Sequence, residues 1–448
     1  MENLVGMDIQ GRTTPRLATA WEVGKDGKSI TFTLRKGVKF HDGTDFNARA
    51  AKWNLEQYLK GEWDGTGNWS SIDVVDDYTV RINLSEYDNG ILSLIAITIG
   101  MMISPSAVEK NGEEWAQTHP VGTGPFKLVG YERDVFLKYE RFDGYWGDKP
   151  YLDGIEFRFV KDPMVQSAGL QAGEGHMIYR ASANTAADLQ KKGYQVIASG
   201  YGAMPTHLDV LAPDTVYPDS IFADKRVREA LDYAIDKKAI AKAVGLGFWE
   251  ATQQIAPSQY VGYDPGLEGR SYNPEKAKQL LAAAGRPNGF KTRIIAPNTA
   301  EKDMLVAIQS NLKAIGIDVQ LEIVPRAKYN EYDLKGWKDG LAWFEVALQP
   351  NLTNSLSKFL GAPATRYVSL NRPSAWVDLL NRVRATADFG AYEALTAQAV
   401  RFAYDEAMVV PLFALAQPYI IGPKAHDTGF LTTGHQTDWT PQKAWLAK

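Results

Sequence analysis

The chain of 448 residues contains no cysteine. This absence excludes disulfide bonds, thiolate metal sites and cysteine nucleophiles. The chain also has no apolar run of the roughly 18 residues needed to cross a membrane. Its longest apolar stretch, residues 90–103, contains Ser93 and is expected to be a buried helix or a pair of strands. The formal net charge is only −4, so electrostatics give no reason to expect a nucleic-acid partner.

Motifs for catalysis and for cofactor binding are absent as well. The sequence has no GxSxG elbow, no GxxxxGK[ST] phosphate loop, no strand-linked GxGxxG and no HExxH pair. The six histidines form no ligand pair at helical spacing, although His426 and His435 share a Gly-rich tail that could hold a metal. We therefore expect no metal and no cofactor, and nothing positive indicates an enzyme.

The residues that are present indicate a large soluble protein with two different halves. Hydrophobic content of 45% and charged content of 23% are ordinary for a globular chain, and the length corresponds to roughly three domains. Before residue 211, apolar and polar residues alternate in several short segments, as in residues 29–35, 79–84 and 155–159. This period of two predicts half-buried antiparallel strands.

The second half has the pattern of an α/β domain. Residues 290–296 and 317–323 read as strands, and residues 299–315 between them read as an amphipathic helix. Short links in this order favour a parallel pair with a right-handed crossover. Ligands of such sheets lie beyond the carboxyl ends of the strands, which here means residues 297–300 and 325–328. Two halves without a flexible linker suggest a hinge and a cleft, and clefts between domains are favoured ligand sites.

Several stretches in a fixed order resemble a known family. The first is the run TPRLATAWEVGKDGKSITFTLRKGVKFHDGTDF over residues 14–46. The others are GTGPF (122–126), YERFDGYW (139–146), GLQAGE (169–174), RVREALDYAID (226–236) and VVPL (409–412). Together they are similar to the family 5 extracytoplasmic solute-binding proteins, which are the dipeptide-, oligopeptide- and nickel-binding components of ABC importers.

The resemblance implies an α/β, two-lobed, periplasmic-binding-protein-like fold of the class II type, with an extra β-rich subdomain in the first lobe and the ligand cleft between the lobes. It places the core of lobe 1 in residues 1–10, 123–211 and 425–448, the extra subdomain in residues 11–122, and the α/β lobe 2 in residues 212–424. It also implies a periplasmic or extracytoplasmic lipoprotein, although this chain carries no signal segment of its own.

The site that the resemblance implies departs from the peptide-binding pattern. Peptide-binding members pair an aspartate, in a segment like GW..D...P, with the α-amino group of the peptide. In the matching segment LAWFEVALQPNL, Trp343 and Pro350 fit, but Val346 and Ala347 stand where the aspartate is expected. Glu345 is the only acid there, and strand alternation decides which way it faces. A sugar oligomer or an opine-like conjugate therefore becomes as plausible a ligand as a peptide.

Candidate ligand contacts follow from their position in the chain. Aromatic rings could stack on a ligand or pack in the core, glutamines could bind a neutral solute or lie in a solvated loop, and arginines could clamp a carboxylate or form surface ion pairs. The candidates are Trp343, Phe344, Tyr201, Trp249, Gln253, Arg180, Arg366 and Glu345.

The sequence thus predicts an extracytoplasmic solute-binding protein that captures a small organic ligand between two lobes and delivers it to an ABC transporter permease. The ligand is a peptide, an oligosaccharide or an opine-like solute, and the protein is expected to be a monomer without an enzymatic activity. The alternative from another class is an α/β hydrolase that acts on sugars or peptides.

Overall fold

The computed structural model describes residues 1–8, 10–198, 205–349, 351–429, 439 and 441–447. The chain begins with a β-rich unit, in which β4, β5, β7 and β6 form an antiparallel sheet in that order, covered by α1 and α2. The elements of this unit are β1 (Glu2–Asn3), β2 (Val5–Met7), β3 (Thr13–Pro15), β4 (Ala18–Val23), β5 (Ser29–Leu34), α1 (Ala48–Lys60), β6 (Trp69–Asp76), β7 (Thr79–Leu84), α2 (Gly90–Ile97), β8 (Met101–Met102), α3 (Pro105–Asn111) and α4 (Glu113–Ala116).

The alternating pattern explains the core of this unit. Ile30, Phe32 and Leu34 of β5 are buried, while the intervening Thr33 is exposed, as a half-buried strand requires. The helix α1 starts where the Asn47 side chain accepts hydrogen bonds from the first free backbone N–H groups. Strands β1 and β2 pack into the same core.

The remainder of lobe 1 contains a three-stranded antiparallel sheet and two helices. Its elements are β9 (Phe126–Glu132), β10 (Phe136–Arg141), β11 (Gly154–Arg158), α5 (Pro163–Ala172), β12 (Met177–Ile178), α6 (Ala183–Lys191) and β13 (Gln195–Ile197). The C-terminal segment docks on this sheet, because the Trp439 ring lies edge-on to Phe157 at 5.6 Å and the Tyr151 amide donates to the Gln442 carbonyl at 3.1 Å.

Lobe 2 is built around a six-stranded sheet in the order β15-β19-β14-β18-β16-β17. Its elements are β14 (His207–Pro213), α7 (Lys225–Ala234), α8 (Lys237–Ala243), β15 (Glu250–Ala251), α9 (Pro274–Ala283), β16 (Phe290–Pro297), α10 (Lys302–Lys313), β17 (Ile317–Val324), α11 (Arg326–Lys335), β18 (Leu341–Ala347), α12 (Leu352–Leu360), α13 (Ser374–Arg384), α14 (Phe389–Asp405) and β19 (Val410–Leu415). β16 and β17 pair in parallel across α10, as their sequence pattern predicts. Two helix-covered cores, one on each face of the sheet, make this an α/β lobe.

The chain passes between the lobes twice. It leaves lobe 1 after β13 and enters lobe 2 at β14, and it returns from β19 to β20 (Tyr419–Ile421), which pairs with β12 and β13. A last pair, β21 (Ala425–His426) and β22 (Trp445–Leu446), closes the chain. Residues 207–211 pair within the six-stranded sheet, and residues 419–421 pair with β12 and β13.

The lobes also meet away from these crossings, at the start of α2. The Arg384 Nε donates to the Asp88 carboxylate at 2.7 Å, and the Asn89 amide side chain donates to the Val383 carbonyl at 2.6 Å. The Asn89 backbone N–H also donates to the Arg384 carbonyl at 2.8 Å. This polar contact is one of several that join the two lobes in addition to the two chain crossings.

A buried ion network stabilises lobe 2. The Lys237 ammonium lies 2.5 Å from the Asp232 carboxylate, and both side chains are at most 2% exposed. Arg270 contacts the same carboxylate at 3.4 Å, and Lys237 also donates to the Thr252 carbonyl and to the side chain of Gln253. These hydrogen bonds matter because a buried charge destabilises the fold unless its donors and acceptors are all hydrogen-bonded.

We expect Lys237→Ala to lower the free energy of unfolding by about 3 kcal/mol, because the Asp232 carboxylate then stays buried without its nearest cation. The measurement is urea-induced unfolding followed by tryptophan fluorescence. The matched control is Lys278→Ala, which removes a half-exposed lysine paired with Glu275 three residues away and should change stability little. Equal losses in the two variants would contradict a stabilising role for the network.

Candidate functional site

One edge of the lobe 2 sheet collects the strand ends that face the hinge. β16, β17 and β18 run in the same direction, so their carboxyl ends lie at one edge. β14 is antiparallel to β18 and to β19, which brings its first residue, His207, to that edge beside Ala347 and Leu415. The edge predicted to carry the ligand, at residues 297–300 and 325–328, is thus also the edge from which both crossings leave.

His207, Asp209 and Glu345 lie on the same face of this sheet. Asp209 is directly opposite Glu345 in the antiparallel register, and His207 is two residues before Asp209 on β14. Directly opposed residues of an antiparallel pair share a face, with Cβ atoms about 4.5–5.5 Å apart. Strand alternation therefore brings three titratable side chains together beside the hinge.

The Asp209 carboxyl is largely buried beside a second acid. Its residue is 4% exposed, and within the part of the chain that the structure describes it has no hydrogen bond and no ion pair. Burial raises the pKa of the Asp209 carboxyl well above its ordinary value, and the neighbouring Glu345 charge raises it further. A side chain in this state costs stability, which is typical of functional positions.

The surroundings of His207 change its pKa in opposite directions. Its Nε2 is 3.8 Å from the Glu345 Oε1, and its Nδ1 is 2.9 Å from the Thr206 hydroxyl. Burial lowers the pKa of His207, the Glu345 carboxylate opposes this effect, and the Arg180 charge adds to it. The imidazole is thus favoured in its neutral form, so it can donate or accept a hydrogen bond.

Arg180, which belongs to lobe 1, contributes a charge that lowers the pKa of His207. It follows β12 in a left-handed backbone conformation (φ 60°), and its neighbour Ala181 donates to the Pro418 carbonyl of the returning crossing at 2.7 Å. The side chain is exposed, and its guanidinium lies 5.9 Å from the centre of the Tyr179 ring. Among the described residues it makes no ion pair. A guanidinium of this kind can bind a carboxylate through two parallel hydrogen bonds.

Two indole rings extend the same face of the sheet. Trp343 is 5% exposed, lies two residues before Glu345, and its Nε1 is buried without a hydrogen-bond partner. Trp249 is half-buried, and its ring packs at 5.3 Å against Phe413, which is opposite Asp209 on β19. The carboxylates therefore lie next to aromatic surface.

The other predicted contacts lie elsewhere. Phe344 points to the opposite face and is 2% exposed in the core with Tyr367, because neighbouring residues of a strand alternate. The Arg366 Nε donates to the fully buried Asp333 carboxylate at 2.6 Å, so Arg366 is occupied by an ion pair within lobe 2. Gln253 accepts from Lys237 in the buried network, at 3.1 Å. Tyr201 lies outside the described residues.

Sequence reasoning missed Asp209 and His207. Residues 200–210 were interpreted as an extended segment near the inter-lobe crossing, and no significance was given to the acid in it. One signal was available: Asp209 is a single carboxylate between Leu208 and Val210 in an otherwise apolar strand. A single acid in an apolar strand either interrupts the strand or takes part in a polar interaction, because its burial among apolar side chains costs free energy.

Comparisons with known proteins agree with this architecture. Residues 12–354 match the family described as "Bacterial extracellular solute-binding proteins, family 5 Middle". The glutathione-binding protein GsiB of Salmonella choleraesuis (strain SC-B67) is 35% identical over 351 residues, which cover 75% of this chain and 66% of that protein. The chain thus spans about two thirds of the length of that relative.

Two solved structures are similar over the whole chain. NikA from Brucella suis, determined in complex with Fe(III)-EDTA, has a TM-score of 0.86 at 25% identity and covers 100% of this chain and 94% of its own. The binding protein AgaA from A. tumefaciens R10, in complex with agropinic acid, has a TM-score of 0.77 at 27% identity, with 100% and 92% covered. The predicted two-lobed fold is therefore confirmed.

The described residues contain no group of three or more His, Asp or Glu side chains placed to hold a metal ion. None of the helices described is both long and apolar enough to cross a bilayer.

The burial of Asp209 has a measurable consequence. Because its pKa is raised in the folded state, the folded protein holds this proton more tightly than the unfolded chain does. The stability associated with the protonated carboxyl is present below the unfolded pKa and is lost as pH rises toward the folded pKa. We expect Asp209→Asn to melt at a higher temperature than the parent at pH 8, with the difference shrinking toward pH 4.

Thermal unfolding of the ligand-free protein across this pH range is the measurement. Asp318→Asn, which removes an exposed carboxylate at the opposite end of the same sheet, serves as the control and should show no such trend. If the melting temperatures of Asp209→Asn and the parent differ by the same amount at pH 4 and at pH 8, the pKa of Asp209 is not raised in the folded protein.

Proposed function

Because this chain belongs to the bacterial extracellular solute-binding proteins of family 5, we propose that it captures a small polar organic solute between its lobes and delivers it to the permease of an ABC importer. The single observation that carries the proposal is the placement of His207, Asp209 and Glu345 on one face of the lobe 2 sheet, at the end where the chain crosses between the lobes. The protein acts outside the cytoplasm, as a monomer and without catalysis.

The geometry suits capture by closure. Asp209, Glu345 and His207 belong to lobe 2, and Arg180 belongs to lobe 1, so a solute that contacts both sets joins the lobes. Closing of the lobes expels water, and the few polar groups then act in a medium of low dielectric constant. The indoles of Trp343 and Trp249 offer apolar surface for the remainder of the solute.

The names of two similar proteins narrow the range of solute classes to consider. One relative is named for glutathione, and a similar structure contains agropinic acid. We therefore favour a peptide-like or opine-like solute over an oligosaccharide. Phe344, Arg366 and Gln253 are left out of the proposed contacts because each is occupied within lobe 2.

The test begins with native mass spectrometry of the freshly purified protein, followed by a thermal-shift panel of glutathione, dipeptides, agropinic acid and oligosaccharides. A ligand that binds only the folded protein raises its melting temperature by mass action. We expect a co-purified solute or a shift with one class of the panel, and no product after long incubation. Absence of both signals would contradict the proposal, and turnover of the solute would favour the hydrolase.

Arg180→Ala tests whether both lobes contact the solute. We expect it to weaken binding by about 1–3 kcal/mol, because a charged hydrogen bond is lost, and to leave the melting temperature of the ligand-free protein unchanged. Arg133→Ala, which removes an exposed arginine in the turn between β9 and β10, is the matched control. Tryptophan fluorescence titration with the solute found in the panel measures both. Equal affinities of the two variants would place the solute on lobe 2 alone.

A further inference from the structure

The β-rich unit contacts lobe 2 through residues 88–90, away from the two chain crossings. The Asn89 backbone N–H donates to the Arg384 carbonyl at 2.8 Å, and its side-chain amide donates to the Val383 carbonyl at 2.6 Å. The Arg384 Nε donates to the Asp88 carboxylate at 2.7 Å. Val383 and Arg384 end α13, and the last carbonyls of a helix receive no hydrogen bond from within it. The β-rich unit therefore caps a helix that belongs to lobe 2.

The same contact depends on the absence of a side chain at Gly90. The Asn354 Nδ2 of α12 donates to the Gly90 carbonyl at 3.1 Å. A Cβ atom on Gly90 would lie 2.0 Å from the Asn354 Oδ1 and 2.9 Å from its Cγ. Gly90 is the first residue of α2, where the backbone itself would accept alanine. The glycine is thus required by the approach of lobe 2 and not by the local backbone.

The β-rich unit is fixed to the rest of lobe 1. The Glu2 carboxylate accepts hydrogen bonds from the Tyr145 hydroxyl at 3.0 Å and from the Trp146 Nε1 at 2.9 Å. The Arg35 guanidinium lies 4.2 Å from the centre of the Trp146 ring. A rotation of lobe 2 about the crossings therefore moves α12 and α13 away from residues 88–90. The hydrogen bonds there are lost once the lobes part by about 1 Å.

We propose that residues 88–90 act as a latch: they hold α12 and α13 while the lobes are together and release them when lobe 2 rotates away. The latch is separate from the candidate site. α12 packs with Phe344 on one face of the lobe 2 sheet, whereas Asp209 and Glu345 lie on the other face. The inference goes beyond solute capture and does not depend on the identity of the solute.

The strength of the contact suits a latch that opens. The Asn89 Oδ1 is buried and has no hydrogen-bond partner among the described residues. Burial of such an acceptor costs free energy, which is recovered when opening returns the oxygen to water. The Asp88 and Arg384 side chains are 17% and 31% exposed, so their ion pair contributes little. The contact is therefore specific in geometry and moderate in strength.

A latch of this kind controls how readily a solute exchanges. A solute enters only when the lobes are apart. The latch lowers the fraction of the ligand-free protein that is open, and it slows the release of a bound solute.

Gly90→Ala tests the latch, because the added methyl group opposes the approach of Asn354. Overpacking of a close contact shifts such an equilibrium by about 10–100-fold. We expect the Asn89 amide to exchange with deuterium about 10–100-fold faster in the ligand-free variant, since this N–H bonds to Arg384 only while the lobes touch. Small-angle scattering should give a larger radius of gyration than in the parent, for which a compact chain of this length predicts about 22 Å.

Gly67→Ala is the matched control, because a Cβ atom at Gly67 meets only open space. It should change neither the exchange rate nor the radius. The melting temperature of Gly90→Ala should stay close to that of the parent, since alanine is at least as favourable as glycine in a helix. Equal exchange and equal radius in Gly90→Ala and the parent would overturn the latch. Faster exchange with a lower melting temperature and an unchanged radius would show a permanent contact instead, and would also overturn it.

A double variant, Gly90→Cys with Asn354→Cys, tests the same contact in the opposite direction. The parent has no cysteine, and the position of a Cβ atom at Gly90 beside Asn354 permits a disulfide. We expect the bond to form under mild oxidation and to slow exchange of the Asn89 amide below the rate of the parent, while the reduced form behaves as Gly90→Ala. Failure to form the bond, or equal exchange in the two forms, would contradict the latch. These measurements use the ligand-free protein, so their failure leaves solute capture to be decided by the ligand panel.

Discussion

The position of β14 is the constraint on which the two-lobed arrangement depends. This strand receives the chain as it comes from lobe 1, pairs with β18 on one side and β19 on the other, and so lies at the centre of the lobe 2 sheet. Because β19 leads the chain back, both crossings emerge from adjacent strands at one edge. A rotation of the lobes about this edge changes little in the sheet itself, and the side chains at the start of β14 lie where the lobes close.

Lobe 2 treats its buried charges in two different ways. Around Lys237, each charge has a partner within hydrogen-bonding distance, and the network ties α7, α8 and the segment after β15 together. Around Asp209, the carboxyl has no such partner in the described structure and is opposed by a second acid. The Lys237 network and Asp209 lie in the same lobe, and among the described residues only the network supplies its buried acid with a cation.

The sequence predicted the local structure better than the relations between distant segments. The strand–helix–strand unit around α10 and the alternation of β5 were predictable because short-range periodicity reports them directly. The pairing of β14 with β18 joins segments about 130 residues apart, and no local pattern reports such a partner. The candidate site has the same limit: Trp343 and Glu345 were proposed from their own segment, while the position of Asp209 opposite Glu345 follows only from the strand pairing.

The alternation of side chains along a strand explains why an acid lies near Glu345 although Val346 and Ala347 stand where the family pattern has an aspartate. In β18, Val346 faces the core formed with Phe344, Leu208 and Val210, so a carboxylate at this position would be buried among apolar side chains. Glu345 and Ala347 face the other side, toward the hinge edge. The residue directly opposite Glu345 is Asp209, which belongs to the neighbouring strand. The two acids therefore lie side by side across the strand pair rather than along β18, and a comparison of one segment with its family pattern does not detect such a pair.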